Sequence, residues 1–268
     1  MGWQSQLKRA DEQHKKIISE LDRRKQKRRK DVDEFKVVEG VIDSPTLKTL
    51  YKLLNQGTLR ALHGAISTGK EANVYRGEDA DGKPVAVKIY RVSTAETDFM
   101  LEYIVGDPRF KRVKRRSRSL IPQWATKEFK NLMRYHDAGI RVPKPIVVQR
   151  NVLIMEFIGD TKNNLAAPLI KNVEIPSPVK TFNEIIRIIE TGYTKAGLVH
   201  ADLSEYNILW LGKPVVIDVS QAVLIGHDYA KKYLFRDIQN IINYFTKLGV
   251  ETEDPEVIAR HIITVGEK

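Results

Sequence analysis

Three oxygen-bearing side chains, close together in the chain, have the types and spacing needed to move a phosphoryl group. The segment V-H-A-D-L-S-E-Y-N-I-L-W, Val199 to Trp210, is followed by V-V-I-D, Val215 to Asp218. It offers Asp202, then Asn207, then Asp218. Transfer of a γ-phosphoryl group asks for positioning and charge neutralisation, so its site needs hard oxygen ligands for a divalent cation and one carboxylate beside the attacking hydroxyl. Asp202 fits the proton acceptor, and Asn207 and Asp218 the metal ligands. His200 reads as an orienter of this loop, a role that overlaps with that of a neutral core histidine.

The flanking residues place these groups. Ile208 to Leu211 and Val215 to Val219 are apolar β-formers, and Gly212-Lys213 between them reads as a hairpin turn, which brings Asn207 and Asp218 to one open end of two paired strands. Upstream, helix Phe182 to Ala196, with Ile185, Ile186, Ile188 and Ile189 inward, delivers the chain to the loop.

A phosphate-binding flap is written earlier, in Ala65 to Tyr75, A-I-S-T-G-K-E-A-N-V-Y. From Gly64 it nearly spells a Walker A loop, but Glu71 stands where a serine or threonine must reach magnesium. The flanks also disagree with that motif, because a strand, a turn at Asp79 to Lys83 and a second strand at Pro84 to Tyr90 follow it where a Walker A would enter a long helix. A flap between strands, with Ser67, Thr68, Gly69 and Lys70 over the phosphates, is the protein-kinase arrangement.

The second strand holds V-A-V-K-I, in which Val85 and Val87 share one face while Ala86 and Lys88 share the other. A lysine there is costly to bury without an anion, and the pattern is that of a lysine pairing with α and β phosphates. Its carboxylate partner belongs on a following helix. Glu128, on an amphipathic helix Ala125 to Ala138 with Phe129, Leu132 and Met133, is preferred to Glu102. The residues between, about 91–120, read as an inserted flexible loop, either substrate-facing or a site of phosphorylation. A hairpin of Pro145 to Gln149 and Asn151 to Phe157 reaches Gly159 as an interlobe hinge would. Backbone groups of Glu156 and Ile158 would bind adenine there, with Met155 behind it.

Composition bounds the rest. With 268 residues, 42% hydrophobic, the chain can build a substantial core, and with no cysteine it excludes disulfides, thiolate zinc and cysteine nucleophiles. It has no apolar run long enough for a membrane span and no signal-peptide core, so a cytoplasmic protein that avoids membranes is expected. A net charge of +11 is concentrated in R-R-K-Q-K-R-R-K, Arg23 to Lys30, and R-F-K-R-V-K-R-R-S-R, Arg109 to Arg118. Such runs attract polyanions, RNA first among them, through phosphate contact rather than base stacking. Lys8 to Phe35 is charged and helix-prone, with Ile17, Ile18 and Leu21 as a short stripe, and a further helix is expected at Thr46 to Asn55.

The segments S-T-G-K-E-A-N-V-Y at 67–75, L-V-H-A-D-L-S-E-Y-N at 198–207 and I-D-V-S-Q-A at 217–222 resemble the RIO family of atypical serine kinases, its type-one branch in particular. The resemblance implies an α+β, two-lobed protein-kinase-like fold. Its parts would be a helical N-terminal extension at 1–60, an N-lobe of antiparallel sheet plus helix at 61–158, and a reduced, mostly helical C-lobe at 159–268. It implies ATP with Mg²⁺, or Mn²⁺, as cofactors, Asp202 as catalytic base, Lys88 on the phosphates, and Asp218 as metal ligand and as acceptor of the phosphoryl group in an ATPase cycle. The implied partners are a pre-ribosomal small-subunit particle or its RNA, and a protein serine, this chain's own included.

Some features depart from ordinary protein kinases. Ala201 stands where activation-loop-regulated kinases carry arginine, and D-V-S replaces D-F-G. Fifty residues follow Asp218, a helical pattern at Tyr229 to Leu248 starts almost at once, and no activation loop is expected. Two other readings compete: a small-molecule phosphotransferase of the aminoglycoside or choline kinase type, and an RNA-binding assembly factor with a regulatory nucleotide.

Overall fold

The computed structural model of the chain describes residues 42–91, 97–105, 107–110 and 117–267. The charged stretch Lys8 to Phe35, the basic run Arg23 to Lys30, and Lys111 to Arg116 of the second run lie outside the described residues.

The first lobe is a five-stranded antiparallel sheet with a helix on each face. Its strands are β1 (Ala61–Thr68), β2 (Ala72–Glu78), β3 (Pro84–Tyr90), β4 (Pro145–Gln149) and β5 (Val152–Glu156), in the order β1-β2-β3-β5-β4. The alternation expected of β3 holds. Val85, Val87 and Ile89 pack with Val152 and Ile154 beneath helix α1 (Ser44–Asn55), which contributes the fully buried Leu50 and Leu53. Ala86 and Tyr90 join the larger core on the opposite face, with Leu153 and Met155. Gly77 on β2 permits this packing, since a Cβ there would lie 2.9 Å from both Leu59 and Val87 side chains. Asn151, in the β4–β5 turn, donates to the Thr46 hydroxyl at 2.8 Å and the Tyr90 carbonyl at 2.9 Å, tying α1 to the sheet.

Between β3 and β4 the chain departs from the expected flexible loop. Helix α2 (Thr97–Ile104) is packed, with Met100, Tyr103 and Ile104 buried, because Phe99 and Tyr103 meet Trp124 edge-on at 6.0 and 6.3 Å and Tyr103 stacks on Tyr233 at 5.4 Å. Helix α3 (Ser117–Asp137) begins well before Ala125 despite Pro122, since the burial of Leu120, Ile121 and Trp124 holds its first turns against the core. Leu132 is buried on this helix and Phe129 partly so, but Met133 is exposed, so the expected stripe is shifted toward Leu132 and Tyr135.

The second lobe is mostly helical. Helix α4 (Pro178–Thr191) starts earlier than Phe182 because Pro178 opens it, and it passes into a π-turn over Gly192–Ala196. Ile185 and Ile189 are buried; Ile186 and Ile188 only partly. Helix α5 (Ala230–Thr246) lies inside the expected Tyr229 to Leu248, and α6 (Pro255–Gly266) packs on it. Short pairs complete the lobe: β6 (Gly159–Asp160) with β7 (Leu165–Ala166), β8 (Leu198–Val199) with β11 (Val223–Leu224), and β9 (Ile208–Trp210) with β10 (Pro214–Val216). Among the described residues no helix is long and apolar enough to cross a membrane.

Leu50 is fully buried between α1 and the sheet. Leu50→Ala is expected to lower stability by about 2–5 kcal/mol, read from urea unfolding; a loss well under 1 kcal/mol would mean that α1 does not close the core of the first lobe.

Candidate active site

Sheet, helix and hairpin converge at one lysine. Lys88, on β3, is buried, and its Nζ donates to Glu128 Oε1 on α3 at 2.9 Å and to Asp218 Oδ1 at 2.9 Å. Burial works to lower its pKa, but the carboxylates of Asp218 and Glu128 outweigh that and raise it above the ordinary lysine value, so the ammonium is fixed. Burial pushes the Glu128 carboxyl up to about 7 against the pull of Lys88. Asp218, also opposed by burial, is held below the usual carboxylate range by Lys88 and by the Ser220 hydroxyl, which donates to Oδ1 at 3.0 Å. Glu102 is occupied elsewhere, accepting from the Tyr233 hydroxyl at 2.6 Å.

The β9–β10 hairpin has the register expected around Gly212, with Pro214 opposite Trp210 and Val216 opposite Ile208. Its strands are shorter than expected, and Ile217 donates to the Asn207 carbonyl at 3.0 Å beyond them. Asn207 and Asp218 therefore sit side by side at the open end. The Asn207 amide nitrogen donates to the Asp202 carbonyl at 2.8 Å and to Asp202 Oδ2 at 3.2 Å, which leaves its oxygen as the group able to meet a metal. Burial and the charge of Asp218 raise the Asp202 pKa, and Gln221 donates to the same Oδ2 at 3.2 Å. His200 is buried, with Nε2 3.1 Å from the Ile217 carbonyl, and burial lowers its pKa to about 4.

A cleft of about 600 Å³ opens between the lobes in front of Lys88. Ser67, at the end of β1, and Gly69 and Lys70, in the turn after it, line the cleft, and the Gly69 amide donates to the Ala72 carbonyl at 3.0 Å. Met155, Glu156 and Ile158 line it from the end of β5, and Glu128, Asn207 and Asp218 close it behind. Two sequence-selected residues are not part of this lining: Thr68, paired with Asn73 in the sheet, and Asp202, whose Oδ2 accepts from Asn207 and Gln221. Met155 is in register with Ala86. The Glu156 amide donates to the Lys144 carbonyl at 2.8 Å and the Ile158 carbonyl accepts from Ala167 at 2.9 Å, so one backbone group on each is already used. Gly159 pairs with Ala166, and a Cβ on it would run into the Leu165 carbonyl.

Among the described residues no three His, Cys, Asp or Glu side chains cluster as a metal cage. One amide oxygen and one carboxylate suit Mg²⁺, which keeps several waters and takes phosphate oxygens as its other ligands. Several residues of the site were not singled out from the sequence. Asp237, buried on α5, accepts from the backbone amides of Ala201 at 2.8 Å and Leu203 at 2.9 Å, and Arg236 donates to the Ala201 carbonyl. Its trace in the sequence is an aspartate inside the apolar stripe of Leu234, Ile238 and Ile241. Ser220 and Gln221 lie within the quoted I-D-V-S-Q-A segment, but nothing in their types announced their partners.

A family model described as the RIO domain matches residues 73–258. The RIO-type serine/threonine-protein kinase Rio1 of Haloferax volcanii is 44% identical over 227 residues, covering 84% of this chain and 77% of that protein. The human serine/threonine-protein kinase RIO1 is 38% identical over 87% of this chain but only 42% of its own length. Among solved structures, the Rio2 kinase from Chaetomium thermophilum superposes with a TM-score of 0.60 at 25% identity, over 79% of this chain and 66% of that one. The same protein as an ADP/Mg²⁺-phosphoaspartate complex gives a TM-score of 0.64 at 24% identity, over 82% and 66%. The chain belongs to the RIO family of atypical kinases, in its type-one branch.

Proposed function

We propose that this protein is an ATP-dependent serine/threonine kinase that also hydrolyses ATP through a phosphorylated Asp218, and that it works on a maturing small ribosomal subunit in the cytoplasm. The observation that carries the chemistry is the Lys88 ammonium, held between Glu128 and Asp218 at the back of a cleft faced by Asn207. The curated relatives named as serine/threonine-protein kinases support the reaction class. The ribosomal partner rests on the basic runs and on the resemblance.

Each residue then has a task. Ser67, Gly69 and Lys70 cover the triphosphate, and the Glu156 carbonyl and Ile158 amide are the backbone groups left for the edge of adenine. Lys88 binds phosphate oxygens with its charge fixed by its carboxylates. The Asn207 oxygen and Asp218 would hold Mg²⁺, which would supply neutralisation of charge on the phosphates. Asp202, its pKa raised, takes the proton from a substrate hydroxyl. Because Lys88 and Ser220 both donate to Asp218 Oδ1, Oδ2 is the oxygen for metal or for attack on the γ-phosphorus. In that attack Oδ2 bonds to phosphorus, the bond to the ADP oxygen breaks, and water later cleaves the acyl phosphate.

His200 serves as a neutral strut. A carbonyl acceptor at Ile217 makes Nε2 the proton-bearing nitrogen, and Nδ1 is buried with no partner. Protonating Nδ1 puts an unsolvated charge there, hence the pKa near 4.

Incubation with γ-labelled ATP is expected to yield acid-stable phosphoserine together with a base-labile acyl phosphate that Asp218→Ala removes; acyl phosphate persisting in that variant would sink the Asp218 assignment. Asp202→Asn is expected to lose roughly 10²–10⁴-fold in transfer to serine while binding nucleotide as the parent does. Stability should also be acid-sensitive in a defined window. The folded pKa of His200, about 4, lies below the ordinary 6.5, so its contribution is complete above pH 6.5 and is lost as pH falls toward 4. The loss is about 3 kcal/mol. His200→Gln, which can still donate to Ile217 but does not titrate, should flatten that part of the stability curve; an unchanged slope would assign the acid sensitivity to other groups.

A further inference from the structure

Two polar side chains of α3 are fully enclosed and have no part in the chemistry above. Lys127 and Asn131 are each 0% exposed. Lys127 Nζ donates to the backbone carbonyls of Ser220 at 2.8 Å and Ala222 at 2.6 Å, and lies 5.2 Å from the centre of the Trp124 ring. Asn131 donates to the carbonyls of Val219 at 2.8 Å and Ala222 at 3.0 Å. Its oxygen accepts from Arg109 at 2.8 Å, and Arg109 is itself clamped on Asp107.

Residues four apart on a helix share a face, so Lys127 and Asn131 present one set of donors to one segment, while the adjacent Glu128 reaches Lys88. The segment they grip follows Asp218 directly. Asp218 itself has φ 55, an uncommon conformation for a residue with a Cβ, and the backbone keeps it only where surrounding bonds over-determine it. Its neighbour Ser220 must also be held so that the hydroxyl stays on Asp218 Oδ1. For stability alone a buried lysine is a poor choice, because taking an ammonium out of water costs several kcal/mol and an apolar side chain of similar size usually serves as well. Bonds to backbone carbonyls fix where the main chain runs, and that is what these residues supply.

We infer that Lys127 and Asn131 are positioning residues that hold the Val219–Ala222 backbone against α3, so that Asp218 is aimed into the cleft, with the Ser220 hydroxyl on it, before any nucleotide arrives. The inference rests on the reading of Asp218 as metal ligand, but not on where the phosphoryl group goes. It makes α3 a double anchor: one residue fixes the lysine, and two fix the segment that carries its carboxylate partner.

Asn131→Asp separates this role from packing. It preserves size and the acceptor for Arg109, and replaces two donors by an oxygen that the carbonyls of Val219 and Ala222 repel. ADP binding in EDTA should match the parent, while Mn²⁺ affinity of the ADP complex, read by electron paramagnetic resonance, should fall about 10–100-fold, as when a group that orients a metal ligand is removed. The turnover number should fall with little change in KM for ATP. Lys127→Met, which fills the same slot beside Trp124 without placing a charge in the core, should act in the same direction and decides the matter if Asn131→Asp does not fold. Parent-like Mn²⁺ affinity and turnover in a folded variant, with only the melting temperature lowered, would reduce both residues to core packing. If the parent binds ADP but no Mn²⁺ with it, the metal-ligand reading of Asp218 falls, and the inference with it.

Discussion

An ammonium withdrawn from water between two carboxylates is the constraint to which the other parts conform. Lys88 and Glu128 have side chains only 8% and 1% exposed, and removing either partner of such a pair leaves an uncompensated buried charge, a cost of about 3–5 kcal/mol. The pair alone would tie β3 to α3 within the first lobe. Asp218 extends the tie to the second lobe, so sheet, helix and hairpin must keep one relative placement for the charge to stay satisfied. The balance is still negative: one ammonium faces two carboxylates, with Asp202 nearby adding a third. That excess suits a site meant for a divalent cation and for phosphates carried with it, while burial, with the charge of Asp218 adding to it, pushes Glu128, whose Oε2 is buried with no partner, toward neutrality.

The backbone obeys a second constraint. Ala201 at φ 66 and Asp218 at φ 55 are non-glycine residues in left-handed conformation, each at a cost of about 1 kcal/mol or more. Neither would persist unaided. Asp237 grips the amides on both sides of Asp202, and Arg236 takes the Ala201 carbonyl between them, so α5 is the foundation of the loop. Burial pushes Asp237 up to about 7 against the pull of the Leu203 and Ala201 amides. The position held by arginine in kinases with a regulated activation loop is here a small residue whose backbone, not side chain, is the point of attachment.

What could be read in the sequence was whatever depends on local spacing. The alternation through Val85 to Ile89 and the Gly212-Lys213 turn follow from periodicity and turn chemistry, and Glu128, preferred to Glu102 on the amphipathic pattern of its helix, meets Lys88. Other features are set by distant residues. Helix α2 looked like loop because its apolar side chains make sense only against Trp124 and Tyr233, far off in the chain. Lys127 and Asn131 went unread because nothing local distinguishes a side chain that bonds to water from one that bonds to a buried carbonyl, and Asp237 because its partners are backbone amides more than thirty residues away. The positive φ of Ala201 and Asp218 was hidden for a related reason, since neither residue type demands it.

The two constraints meet at the hinge. The Arg141 carbonyl accepts from Val216 in the hairpin that leads to Asp218, at 3.0 Å, while its guanidinium holds Glu156 at the end of β5 by two bonds of 2.6 and 2.7 Å. An exposed ion pair contributes little by itself, but a bidentate one on a backbone already anchored resists rotation. Lys88–Asp218 at the back of the cleft and the bonds of Arg141 to Val216 and Glu156 therefore fasten the two lobes in two places. Over the cleft, Ser67 at the end of β1 and Lys70 in the turn after it are exposed, and two irregularities interrupt the β1–β2 pairing between Leu62 and Ser67. A site assembled in advance in this way needs no activation segment between Asp218 and α5, which begins at Ala230.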